Sequence, residues 1–175
     1  MSNVEVVDGF FVEDDFEWIV NFGQDYWGKN RFFPSNKIWP IERVCEGPSV
    51  HVIELDKNNE LYDILIDLFA TRGLEPVNDR SIQFQFWPKT SYLPWNYGHE
   101  DYTYFHTWIN INWGPDDGGI FLYQEDIEQD LFLKGVIPAN NRAVFTEGEV
   151  FHHMTPIQSD ESYCATLGAV LRKKS

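Results

Sequence analysis

His99 and Asp101 stand two residues apart in Gly98-His99-Glu100-Asp101-Tyr102-Thr103-Tyr104-Phe105-His106-Thr107-Trp108-Ile109-Asn110-Ile111-Asn112-Trp113, at the head of an aromatic run that favours β structure. Side chains on a strand alternate faces, so the spacing predicts that this imidazole and this carboxylate point one way and Glu100 the other. Such a pair can give two adjacent ligands to a six-coordinate metal. A third is available in Phe151-His152-His153-Met154-Thr155-Pro156, where only one of the two neighbouring histidines can share that face. Two imidazoles and one carboxylate on one face of an octahedron suit Fe(II) and leave positions open for an organic co-substrate and O2. The triplet alone is a weak signal, because a His-x-Asp can also simply polarise a turn before a strand. Its weight comes from what surrounds it.

The elements that must position these residues can be taken in chain order. Val4 to Phe11 reads as a short strand with a turn at Asp8-Gly9. Asp14 or Asp15 offers an N-cap, and Val12, Phe16, Ile19 and Val20 recur at helical spacing, with the pattern weakening at Gly23. The long segment 27 to 50 is irregular, and its first part, Trp27 to Pro40, carries three basic residues and is a candidate lid. Ser49 to Leu55 reads as a strand. A second helix is expected from about Asn58 to Thr71, with Leu61, Ile64, Leu65 and Leu68 on one face and Gly73 as its stop. From Ser81 onward the chain reads as strands: Ser81 to Trp87, Phe105 to Asn112, Gly119 to Gln124, Asn141 to Phe145, Glu149 to Met154 and Tyr163 to Leu171. Short strands divided by Gly, Pro, Asn and Asp turns predict a sandwich or barrel with the early helices packed outside it.

Composition sets outer bounds. A chain of 175 residues with 43% hydrophobic and 17% aromatic residues is long and apolar enough for one folded domain with a substantial core. The net charge of -15 argues against nucleic acid and anionic membrane surfaces as partners, since both require a cationic footprint. Cys45 and Cys164 are too few for a disulfide framework and lack zinc-site spacing. With no basic and apolar leader at Met1-Ser2-Asn3-Val4-Glu5 and no run of roughly 18 apolar residues, a soluble, cytoplasmic location is expected.

The order of these parts resembles the prolyl-4-hydroxylase-like branch of the 2-oxoglutarate and Fe(II)-dependent oxygenases over roughly Gln83 to Leu171. Phe86-Trp87-Pro88 is similar to the strand end before that family's metal loop, and Gly98-His99-Glu100-Asp101 to its metal motif. Asn110-Ile111-Asn112-Trp113 lies where the family has Tyr-Leu-Asn, Gly118-Gly119 matches its double glycine, and Asn141-Arg142-Ala143-Val144-Phe145 resembles its Asn-Arg-Leu-Val-Phe strand. His152-His153-Met154-Thr155-Pro156 fits the family's His-x-Val-x-Pro, with His152 as the ligand and His153 as its outward neighbour. The resemblance implies a mainly β double-stranded β-helix, a cupin-like jelly roll. The whole chain would then be one oxygenase-like domain, with residues 1–80 supporting a core at 81–175.

What the resemblance implies for function is a dioxygenase that hydroxylates an unknown small-molecule or protein substrate. Fe(II) would be held by His99, Asp101 and His152, with 2-oxoglutarate and O2 as co-substrates and ascorbate as an auxiliary reductant. Trp87, Asn110, Ser162 and Thr166 are the implied contacts of the co-substrate, and Tyr92, Trp95 and Tyr97 a candidate aromatic wall. The chain departs from the family at one position: the Arg or Lys that anchors the far carboxylate of 2-oxoglutarate is replaced by Ser162, leaving Lys89, Lys134 or Arg142 as substitutes. That departure keeps a second class open, a cupin-like or degenerate oxygenase fold that binds metal or ligand without oxidising anything. Zinc on the same three ligands and a plain jelly-roll interaction protein complete the alternatives.

Overall fold

The computed structural model describes residues 3–29, 33–34, 50–109, 113, 115–125, 132–159 and 164–174. Its frame is two antiparallel sheets. The larger contains β1 (Val4–Asp8), β2 (Phe33–Pro34), β3 (His51–Glu54), β4 (Leu74–Pro76), β5 (Ile82–Trp87), β7 (Tyr102–Trp108), β10 (Arg142–Glu147) and β12 (Cys164–Lys173). Their order is β1-β10-β7-β12-β5-β3-β2, with β4 also on β12. The smaller holds β6 (Leu93–Tyr97), β8 (Phe121–Gln124), β9 (Lys134–Val136) and β11 (Phe151–Met154) in the order β6-β11-β8-β9. This is the expected jelly roll.

Among the described residues, two helices back the larger sheet. The first, α1 (Glu13–Gly28), takes Val12 as its N-cap, and Asp14 and Asp15 fall instead in the first turn, where their charge still favours the helix dipole. It also runs through Gly23 without a break. The reason is packing: a Cβ at Gly23 would lie 2.5 Å from the Phe84 ring, so the missing side chain lets helix and sheet approach. The second helix, α2 (Glu60–Thr71), starts where the Asn59 side chain accepts the Leu61 N–H at 3.0 Å. It ends at Gly73, which holds φ +69°. Leu61, Leu65 and Phe69 are its fully buried face, each contributing about 1.5 to 3 kcal/mol by leaving water.

Alternation on the large sheet divides the molecule into two apolar layers. On β5, Ile82, Phe84 and Phe86 join the helices, while Gln83, Gln85 and Trp87 turn inward toward the small sheet. On β7, Phe105 packs with Phe69 of α2, and Tyr104, His106 and Trp108 turn inward. Between the sheets, Val52, Trp87, Trp108, Phe121, Val144, Val150 and Met154 form the second apolar cluster. Strand β6 was not expected, because Pro94 interrupts its pattern. As the edge strand of the small sheet it tolerates a residue that cannot donate to a ladder. The segment read as a lid lies largely outside the described residues. Within it, Trp27 packs its ring on Phe86 at 5.3 Å, and the backbone of Phe33–Pro34 pairs with β3.

Candidate functional site

A cavity of about 540 Å³ lies where the two sheets fail to close on each other. From the large sheet, Gln83, Gln85, Trp87, Tyr104, His106, Thr146 and Gly168 reach it; from the small sheet, Asn96, Phe121 and His152. One wall is a chain of hydrogen bonds. Trp87 Nε1–H donates to Thr166 Oγ1 at 2.8 Å, Thr166 Oγ1–H donates to Gln85 Oε1 at 3.0 Å, and Gln85 Nε2–H donates to Gln83 Oε1 at 3.4 Å. Gly168 leaves room for this chain, since a Cβ there would lie 2.9 Å from Gln85 Nε2.

His152 forms the opposite wall. It is 4% exposed, stacks on Phe121 with centroids 5.4 Å apart, and stands 5.6 Å from Tyr104. Its Nδ1 lies 3.0 Å from the Val150 carbonyl oxygen, which can only accept, so in the neutral ring the proton sits on Nδ1 and Nε2 carries the lone pair. Its neighbour His153 occupies the outer face, with Nδ1 3.0 Å from the Leu93 carbonyl and its ring 4.5 Å from Trp95. A second cavity histidine, His106, is half-buried, and its Nε2 atom is buried with no hydrogen-bond partner. Burial, with a smaller contribution from the charge of His152, lowers its pKa to about 3, so His106 is neutral across the physiological range.

His99 and Asp101 are placed elsewhere. They sit on the turn between β6 and β7, with side chains 54% and 76% exposed. The His99 ring stacks on Tyr102 at 4.7 Å, and its Nδ1 accepts the Asp101 backbone N–H at 3.3 Å. The structure therefore joins His99 to Asp101 but brings neither to His152. Among the described residues there is no group of three His, Cys, Asp or Glu that could hold a metal ion. The expected triad and the residues present do not match in this conformation.

The remaining expected contacts divide. Trp87 lines the cavity and Thr166 stands behind it as its hydrogen-bond partner, whereas Asn110 and Ser162 lie outside the described residues. Trp95 and Tyr97, expected as an aromatic wall, face outward with Phe151 and are 41% and 47% exposed. None of the three candidate cations is among the described residues that line the cavity. Arg142 is held by Asp8 at 2.5 Å and Lys134 by Glu125 at 3.2 Å, both on the surface, and Lys89 is exposed.

Two cavity-lining side chains escaped the sequence reading, His106 and Asn96. His106 was within reach of it, because it shares the alternation of Tyr104 and Trp108. Asn96 was hidden with its strand.

No family model and no curated protein sequence matches this chain. Solved structures do. A prolyl-4-hydroxylase from Pseudomonas putida superposes with a TM-score of 0.74 at 16% identity, covering 100% of this chain and 95% of its own. A prolyl hydroxylase from Trichoplax adhaerens, in complex with a hypoxia inducible factor peptide fragment, gives 0.76 at 8% identity over 99% and 84%. HygX from Streptomyces hygroscopicus, with nickel and 2-oxoglutarate bound, gives 0.65 at 11% over 98% and 82%. The fold of this chain is the jelly roll of the prolyl-4-hydroxylase-type 2-oxoglutarate and Fe(II) oxygenases.

Proposed function

We propose that the cavity between the sheets is the active site of a non-haem Fe(II)- and 2-oxoglutarate-dependent dioxygenase, an oxidoreductase hydroxylating a small-molecule or protein substrate. What carries this reading is that the likeness to such enzymes spans almost the whole chain and a buried, oriented His152 lines the cavity. His152 would supply one metal ligand. His99 and Asp101 would supply the others only if the turn carrying them folds over the cavity, since they do not reach it as they stand. Trp87 and Thr166, with Asn110 and Ser162, would hold the co-substrate. Fe(II), once bound, would supply the oxidising chemistry with O2, and ascorbate would keep it reduced; the protein's part is to hold, orient and exclude water. The net charge of -15 keeps nucleic acid off the partner list. Protein loaded with Fe(II) and given 2-oxoglutarate in air should form succinate, His152→Ala should abolish this, and His153→Ala should not. No succinate above a protein-free control would overturn the reading.

A second reading is favoured by one observation. The ladder partner of His152 on β6 is Asn96, neither an imidazole nor a carboxylate. On this reading the cavity binds an organic ligand without oxidising it.

A further inference from the structure

The face of the large sheet turned away from the cavity carries a second cleft, of about 500 Å³, beyond the C-terminal end of α2. Strand register lays out its floor, because residues paired across an antiparallel ladder share a face. Glu5 is paired with Phe145 across β1 and β10, Glu147 with Thr103 across β10 and β7, and Thr103 with Leu171 across β7 and β12. Alternation puts Lys173, two residues after Leu171, on this same face. Arg72 and Gly73 close the cleft from the helix end. The Lys174 backbone N–H donates to the Gly73 carbonyl at 2.8 Å, which ties the end of β12 to the end of α2.

Three donors of different kinds meet at this space. The Arg72 guanidinium lies over the Phe145 ring at 4.4 Å and over the Phe10 ring at 5.6 Å, and its Nη1 donates to Glu5 at 2.8 Å. Held on its face and at one corner, it keeps further N–H groups for another acceptor, since a guanidinium carries five. Thr103 is only 7% exposed, yet it lies on the floor of the cleft and its hydroxyl makes no hydrogen bond with the other described residues. A hydroxyl enclosed to that degree costs free energy unless a ligand or water pairs with it. Lys174 brings an ammonium to the rim, while Lys173 is engaged by Glu147. In a chain with 28 acidic residues against 13 basic ones, three bases at one cleft run against the charge of the whole.

We propose that this cleft binds a phosphate group, held by the Thr103 hydroxyl from the floor, Arg72 from the side and Lys174 from the rim. Donors that approach from three directions match the oxygens of a tetrahedral anion better than the two coplanar oxygens of a carboxylate. The site is separate from the cavity between the sheets and is independent of the metal chemistry proposed there. Calorimetric titration of the full chain with inorganic phosphate, at constant ionic strength in chloride, should show binding in the millimolar range, about threefold or more tighter than acetate. Thr103→Val keeps the shape and removes the hydroxyl, and it should weaken phosphate by about tenfold, as should Arg72→Gln. Lys174→Gln should weaken it by about threefold, and since Lys174 is exposed this variant keeps the test open if either of the others fails to fold. His152→Ala should bind phosphate as the unaltered protein does. Absence of phosphate binding, binding that survives all three substitutions, or acetate binding as tight as phosphate overturns the proposal. Binding lost in His152→Ala overturns it too, by moving the anion to the cavity.

Discussion

The turn that carries His99 and the interior that carries His106 and His152 hold the same side chain under opposite conditions. On the turn, water solvates the imidazole, and its contacts are local: Tyr102, three residues away, and the Asp101 backbone. Inside, each ring meets residues distant in sequence, His152 meeting Phe121 and Tyr104, and His106 meeting Phe121 as well as Trp108 of its own strand. Interior rings are positioned by the register of strands, and the turn ring by its own short loop. Chemistry that needs a preset donor arrangement can draw on the first kind directly. It can use the second only after a change of conformation.

The joint between the two regions gives the largest expected effect. Gly98 ends the cavity face of β6 and begins the turn, donating its N–H to the Val150 carbonyl at 3.1 Å while its Cα faces the Gly148 carbonyl. Adding one methyl group there sets carbon against backbone oxygen, not against a flexible side chain that could yield. Gly98→Ala should cost about 3 kcal/mol or more in denaturant unfolding, beyond the usual overpacking penalty because backbone must move. A cost below about 0.5 kcal/mol would show that the turn is loosely held. That result would make inward folding of His99 and Asp101 credible.

Protonation separates the regions by a smaller amount. The pKa of His106 falls from 6.5 to about 3 in the folded state, chiefly through burial. Between these two values the unfolded chain binds a proton that the folded chain does not, so stability is full above pH 6.5 and declines as pH falls toward 3. The loss is up to about 1.4 kcal/mol per pH unit in that window, or roughly 2 kcal/mol by pH 5. His106→Gln should flatten the slope of unfolding free energy against pH over this range. An unchanged slope in His106→Gln would assign the acid sensitivity to other groups.

Most of the frame was legible because period-two alternation carried it. In Ile82–Trp87, Ile82, Phe84 and Phe86 sort onto the face opposite Gln83, Gln85 and Trp87, and the strand's place between helices and cavity follows. Alternation put only one of His152 and His153 on the cavity face, and the resemblance to His-x-Val-x-Pro singled out His152, which lines the cavity. At His99 and Asp101 the rule has no strand to act on, because β6 ends at Tyr97 and β7 begins at Tyr102, yet the turn itself brings the two side chains to 3.8 Å of each other. Alternation failed at Leu93–Tyr97, where Pro94 masked an edge strand and with it the residue opposite His152. Which residues meet across a ladder is set by register, and no spacing within one strand reveals its partner.

The smallest expected effect is the most informative about function. His99→Ala and Asp101→Ala remove exposed side chains whose 3.8 Å separation is a weak surface pairing, so each should change stability by no more than about 0.5 kcal/mol. His152→Ala removes a stacked, hydrogen-bonded ring from the interior and should cost about 2 to 3 kcal/mol, an internal standard for the same substitution in the other setting. Repeating all three titrations with Fe(II) and 2-oxoglutarate present then divides the two readings of the site. If the turn closes on a metal, the ligands raise the melting temperature of the unaltered protein, and His99→Ala and Asp101→Ala lose that increment though they lost nothing without it. If the turn stays outside, the increment is absent throughout, and the cost at His152 is the same with and without iron.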